Sequence, residues 1–346
     1  MTRSGKVLRV CWIKDQKPGH LTKVRGLLKA IGQHRSIDLT ECEVNWVTKS
    51  MRLCLRYLPF LKSKYPLRYC LDLPHSLDSF DLVVSAGGAT EWPNARLGQL
   101  SGAKNIYLGS LRMFDCSAFS LLPRIDEGNG DNVVKMTIVP SELNRSQAAL
   151  EAHRVFPKDF GKTWTVLIGG DGSGIAWTIS DWLALAKGII GSAREARARL
   201  IVTTSRRTGR VGEKTLKAEF EASGLLACGV WHCEGPSDKS PSLVAMIGQS
   251  ELVCVTEDSA SMVNEAVASG RPVFTFRPER SQLSDLIESM LCRLEEACYI
   301  HRNKHLVSLE IAMTAKEWTL MNDDWHYFFG KQILKLLNMA KEEECI

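Results

Sequence analysis

The chain has 346 residues, 45% hydrophobic and 24% charged, enough for two cores of roughly 150 residues each and unlike a fibrous or disordered polypeptide. A formal charge of +5 is too mild at this length to signal nucleic-acid binding, and no run approaches the roughly 18 apolar residues of a membrane-spanning helix. Eleven cysteines without a CxxC pair and eight dispersed histidines argue for a reducing cytosol and against a zinc site, so no metal is expected.

The N-terminal MTRSGKVLRVCWIKD places basic residues before a short apolar run, but Arg9 and Lys14 interrupt it and no small-residue cleavage site follows. It reads as a first strand, KVLRVCWI (6 to 13), and a cytoplasmic location is expected. The turn KPGH (17 to 20) then opens a helix, LTKVRGLLKAIG, and CEVNWV (42 to 47) reads as a second strand.

Residues 49 to 69, KSMRLCLRYLPFLKSKYPLRY, interleave six basic residues with aliphatic and aromatic ones and contain no acid. Arg52, Arg56 and Phe60 are candidates for an anionic membrane surface. Single-stranded nucleic acid or the basic outer face of a structural helix fits the same composition, and Pro59 and Pro66 cut any helix short.

Strand patterns continue with DLVVSAGG (81 to 88), NIYLGS (105 to 110) and VKMTIV (134 to 139). The polar stretch 141 to 162 carries no strand signal and is read as the interdomain connection. The pattern resumes with TWTVLIGG (163 to 170), RLIVTTS (199 to 205), GVWHC (229 to 233), ELVCVT (251 to 256) and RPVFTF (271 to 276), followed by a helical tail with an aromatic cluster that must be buried. Continuous rather than alternating apolar strands indicate parallel sheets covered on both faces. The expected fold is therefore α/β, with two Rossmann-like doubly wound parallel-sheet domains. They span residues 1–150 and 151–310, and helices over 311–346 pack back on the first domain.

In open parallel sheets ligands bind outside the carboxyl ends of the strands. The notable motifs all fall there. In EDSASMVNEAVASGRPVF, Asp258 to Ser261 offer N-cap candidates and Gly270 ends the helix. A helix beginning near Ser259 presents free amides and a positive dipole end to a diphosphate. Ser261 lies on the same face as Glu265, whose carboxylate reaches the two hydroxyls of a ribose. A capped helix with a solvated glutamate explains the same pattern.

Gly169 and Gly170, in GGDGSG, let amides approach a phosphate, although neither G-x-G-x-x-G nor a Walker loop is present and an ordinary turn also fits. Ser205, Arg206 and Arg207, in TSRRTG, suit a phosphate clamp, and equally a solvated loop. In the first half His20 sits where an imidazole is neutral and can act as a general base, or simply pack. Lys17, Gly19, Gly87 and Gly88 form tight turns beside it on the acceptor side.

Taken together, KPGH, TTSRRTG and VTEDSASMVNEAVASGRPV resemble the family of the plant elongated-mitochondria fission protein and its bacterial homologues, over nearly the whole chain. The two-domain pattern also resembles GT-B glycosyltransferases and sugar-nucleotide epimerases. That resemblance implies two domains facing a cleft, with Ser259, Ser261 and Glu265 on the nucleotide diphosphate and ribose. It also implies the loop at Glu234, Gly235 and Pro236 against the base, and His20 as catalytic base. Lys17-Pro18-Gly19-His20 departs from the glycine-rich form of those enzymes.

The expectation is a glycosyltransferase using a nucleotide diphosphate sugar, with no separate cofactor, on a lipid-linked or envelope-glycan acceptor. It works at the cytoplasmic face of a membrane as a peripheral protein. Alternatives are a non-enzymatic fission scaffold that recruits a protein partner, and a nucleotide-sugar epimerase or hydrolase. No nucleic-acid partner is expected.

Overall fold

A computed structural model describes residues 7–45, 65–72, 80–125, 130–156, 160–235, 240–303 and 317–339. The chain divides into two compact units, Met1–Glu142 with Asp324–Ile346, and Leu143–Asp323. Among the described residues no helix is long and apolar enough to cross a membrane, and no group of three or more His, Cys, Asp or Glu side chains could hold a metal ion.

The first unit begins with β1 (Leu8–Lys14), α1 (Pro18–Gly32) and β2 (Ile37–Glu43). It continues through α2 (Tyr65–Cys70), β3 (Leu82–Ala86), α3 (Glu91–Ser101) and β4 (Lys104–Leu108). These strands form a parallel sheet in the order β2-β1-β3-β4. Alternate residues supply its two faces. Val10, Trp12, Leu82 and Val84 pack with Val24, Leu27 and Ile31 of α1, while Cys11, Ile13 and Val83 pack with Trp92 and Leu97 of α3. Full burial of each such aliphatic side chain contributes about 1.5–3 kcal/mol.

Beyond β4, β5 (Leu122–Arg124) pairs with β6 (Val133–Lys135) as a separate parallel ladder. Two expected strands are thereby corrected. The second strand is Ile37–Glu43; of the expected 42 to 47 it includes only 42 and 43, and 46 and 47 lie outside the described residues. It lies at the sheet edge, half of its residues face solvent, and its apolar content is correspondingly low. Of VKMTIV only the first two residues are in a strand, and that strand lies outside the main sheet.

In the second unit α4 (Arg145–Val155) opens the chain, capped by Asn144, whose side chain accepts from Gln147 N. It occupies the polar stretch read as a connection; the change of unit falls between Glu142 and Leu143. Then follow β7 (Thr163–Leu167), α5 (Ile179–Glu195), β8 (Arg199–Thr203), α6 (Gly209–Ala222), β9 (Leu226–Val230) and α7 (Leu243–Gly248). The remaining elements are β10 (Leu252–Thr256), α8 (Ala260–Ala268), β11 (Val273–Phe276), α9 (Asp285–Glu296) and β12 (His301–Asn303).

The six strands are all parallel, in the order β12-β11-β10-β7-β8-β9. This is the Rossmann order, and the direction of winding reverses between β7 and β10. In the first unit the corresponding reversal lies between β1 and β3. The expected strand over 229 to 233 is corrected to Leu226–Val230, and β12 was not anticipated: both are edge strands, without the continuous apolar run of the central ones. Finally α10 (Trp325–Leu336) returns to the first unit, where Ile333 and Leu334 enter the α1 core and Gly330 lies against the Ala30 carbonyl.

Candidate functional site

Ligand sites in doubly wound sheets form where the winding reverses, because the loops leaving the two central strands part there. In the second unit these are the loops after β7 and β10, joined by the loop after β8. The Gly170 amide donates to Asp258 Oδ2 at 2.9 Å, and the Gly169 amide to Thr256 Oγ1 at 2.8 Å. Ser205 Oγ donates to the Gly169 carbonyl at 2.6 Å, and Thr208 Oγ1 donates to the same oxygen. Both glycines are required by contact. A Cβ on Gly169 would overlap the Asp258 carboxylate, and one on Gly170 the backbone of Arg207. The three loops are thus one interlocked structure.

Charge is distributed unequally within it. Arg207 pairs with Asp258 at 2.9 Å and donates to the Asp171 carbonyl at 3.3 Å. Burial pushes the Asp258 carboxyl above its usual range, against hydrogen bonds from Thr256 and Gly170 and the charge of Arg207 that lower it. Arg206 is exposed and makes no ion pair among the described residues.

The segment Glu257–Ser259, which follows β10, is buried, and α8 begins at Ala260. Ser259 makes no side-chain capping bond; its Oγ lies 3.4 Å from that of Ser261, which is exposed. The first-turn amides of α8 are therefore uncapped, and Ala260 to Met262 are half-buried or exposed. One turn beyond Ser261 stands Glu265. Its carboxylate makes no hydrogen bond or ion pair among the described residues, and burial pushes its pKa up to about 7. A desolvated, unpaired carboxylate in such a place is a recognised mark of a functional group.

Glu234 lies apart from these loops in its chemistry: it is exposed and paired with Lys217 at 2.7 Å. Pro236 lies outside the described residues, as do Arg52, Arg56 and Phe60.

In the first unit the reversal point carries His20 and Gly87. Pro18 and Gly19 open α1, with Lys17 at its N-cap, and His20 follows in the first turn. Its Nδ1 bonds both oxygens of Asp15, at 3.0 and 2.8 Å, and Asp15 is itself fixed by the Lys17 amide at 3.2 Å. Gly87, with φ of +86°, terminates β3; a Cβ there would overlap the His20 ring. Gly88 follows, and Thr90 closes the turn with a bond from Oγ1 to the Ala86 carbonyl at 3.0 Å. Gly19 is exposed, with nothing near its Cβ position. Lys17, also exposed, contributes its backbone to the turn. With Nδ1 on Asp15, the Nε2 atom of His20 is the one able to take a proton.

Sequence reasoning missed three supporting carboxylates. Asp15 sits in the same turn as KPGH and could have been suggested by its spacing of five from His20. Glu213, on α6, is buried and accepts from Thr204 Oγ1, from Cys233 N at 2.9 Å and from Glu234 N at 3.0 Å; in a polar helical stretch nothing distinguished it. Glu257 is bound through both oxygens by Arg302 at 2.8 Å, tying the end of β10 to the edge strand β12.

Solved structures share this fold at low sequence identity. The UDP-GlcNAc 2-epimerase from Neisseria meningitidis bound to UDP-GlcNAc aligns with a TM-score of 0.55 at 10% identity, covering 96% of this chain and 100% of that one. An S. aureus MnaA–UDP structure has a TM-score of 0.48 at 12% identity, covering 98% and 99%. E. coli heptosyltransferase WaaC with ADP-2-deoxy-2-fluoro heptose has 0.48 at 12%, covering 88% and 96%. The architecture is that of GT-B proteins, two Rossmann-like units. No curated protein sequence matches the chain. The family described as mitochondrial fission ELM1 matches residues 18–321, the greater part of the chain, and the protein belongs to that family.

Proposed function

We propose that the second unit binds a nucleoside diphosphate sugar and that the protein is a GT-B-type glycosyltransferase. Its acceptor is a lipid-linked or envelope glycan at the cytoplasmic membrane face, where the protein is peripheral. The observation that carries this reading is Glu265, a partly buried carboxylate without a partner among the described residues, one turn from the uncapped mouth of α8 at the reversal point of a Rossmann sheet. Two vicinal ribose hydroxyls supply the donors that this carboxylate lacks. The amides and dipole of α8 receive the diphosphate, and the exposed Arg206 adds a cation.

Transfer then needs one proton moved. The acceptor hydroxyl oxygen attacks the anomeric carbon, the bond from that carbon to the diphosphate oxygen breaks, and the nucleoside diphosphate leaves with the electron pair. His20 Nε2 takes the hydroxyl proton, and Asp15 orients the ring and stabilises the imidazolium. Thermal denaturation with a panel of nucleoside diphosphates and their sugars tests the donor site. A ligand present at 100 times its dissociation constant adds about 2.7 kcal/mol of stability. Absence of any shift at millimolar concentration, or an equal shift in Glu265→Ala, removes the reading. Product analysis with the bound nucleotide sugar separates transfer from epimerisation or hydrolysis.

A second reading, a fission scaffold that recruits a protein partner, is favoured by the family to which the chain belongs. Under it Glu265→Ala spares function while charge reversal at Arg52 and Arg56 abolishes recruitment.

A further inference from the structure

A cavity of about 670 Å³ opens in the first unit between α3, the start of β4 and the segment after β4. Its residues lie on the flank of the sheet: Arg96 and Gln99 follow the middle of α3, and Asn105 is near the beginning of β4. Asp15, His20 and Gly87 belong instead to the carboxyl ends of the strands. The volume is that of a small-molecule site.

The wall is fixed by a buried polar network. Asn105 Nδ2 donates to Asn94 Oδ1 and to the Ala118 carbonyl, both at 3.1 Å, while Asn105 Oδ1 accepts from Ser120 N at 2.8 Å and Ser120 Oγ at 3.1 Å. Gly98 allows the close approach of α3, since a Cβ there would stand 2.9 Å from Asn105 Cγ. Every member of this network is satisfied, so the cavity is shaped before any ligand arrives.

Arg96 is the exception. It is 3% exposed; its Nη1 donates to Gln99 Oε1 at 2.5 Å, but Nε and Nη2 are closed to solvent and have no hydrogen-bond partner among the described residues. Those two nitrogens form one edge of the guanidinium, the edge that receives a carboxylate through two parallel bonds. No acid pairs with it among the described residues, and burial pushes its pKa down. The Phe114 ring, 5.8 Å from Cζ, lies under the cation and meets Phe119 edge-on at 6.4 Å. Asp115, exposed, is the one acid of the wall among the described residues and disfavours a second negative charge on a ligand.

We propose that this cavity binds a small monocarboxylate with an apolar body, the Arg96 side chain turning so that Nε and Nη2, closed to solvent in the empty cavity, hold the carboxylate while the body lies against Phe114 and Phe119. The assignment is independent of the nucleotide-sugar reading. Equilibrium dialysis of 3-phenylpropionate and of its uncharged amide against the full chain tests it. The carboxylate is expected to bind saturably, one per chain, and the amide about tenfold or more weaker, the scale of a lost charge-assisted pair of bonds.

Arg96→Met is expected to lose the same factor and to keep the fold, because it removes an uncompensated buried charge. Ser117→Trp, which fills the cavity from its exposed wall, is expected to abolish binding and supplies the test should Arg96→Met not fold. Equal affinity for acid and amide, full binding by Arg96→Met or by Ser117→Trp, or no saturable binding of the carboxylate at millimolar concentration would each overturn the proposal.

Discussion

His20 and Gly87 occupy one another's space: the imidazole lies where a side chain at 87 would be, and the glycine sits at φ +86°. The substitution Gly87→Ala therefore meets two obstacles, a left-handed backbone and a displaced ring. It should destabilise the protein by about 2 kcal/mol or more and shift the His20 imidazole signals in NMR. Gly19→Ala, in open space within the first turn of α1, should be neutral or stabilising by up to about 1 kcal/mol. Denaturant unfolding of the two variants side by side checks the contrast.

If His20 is the base, His20→Ala lowers kcat by about 10²–10⁴-fold with little change in donor affinity. Asp15→Asn should act in the same direction, because an amide can hold the ring but does not stabilise its protonated form. Steady-state kinetics, with donor binding measured separately, distinguishes this from a collapsed site, in which both quantities fall together.

Glu265 gives a pH signature. Its folded pKa of about 7 lies above the ordinary 4.5, so between these values the folded protein binds more protons than the unfolded one. Stability contributed by the protonated carboxyl is then full below pH 4.5 and is lost as pH rises through 7. The loss reaches at most about 3 kcal/mol. Glu265→Gln should match the parent at pH 4 and exceed it at pH 8 in urea unfolding. Nucleotide affinity of the parent should rise across the same interval, since hydroxyl donors bind the ionised form.

Arg302, with a side chain of zero exposure, bridges Glu257 and Glu288 and holds the Glu288 carboxyl down to about 2. Replacing it by leucine leaves the buried Glu257 with only the longer pair to Arg277, at 3.6 Å, as counter-charge, and should destabilise by up to about 3–5 kcal/mol. The double variant Arg302→Leu, Glu257→Leu should recover most of the loss; a double variant as unstable as the single one would show that packing, not charge, is at issue.

The α/β class was legible in the sequence because central parallel strands, buried on both faces, must be continuously apolar: TWTVL and LVCVT can hardly read otherwise. Placement of the glycine and arginine motifs after strands was legible for the same reason. Edge strands were not, since IDLTECE and HRN are half solvated and carry no such run.

What the linear chain determined, then, was periodicity, turn chemistry and which loops stand at strand ends, all consequences of short-range sterics and burial. Tertiary structure alone decided the partners. Strand order brings residue 170 to 258 and 20 to 87; it pairs Arg207 with Asp258 and, among the described residues, leaves Glu265 and one edge of Arg96 unpaired. A charge declares no function until its neighbours are known, because solvation and pairing are properties of the folded surroundings and not of the residue type.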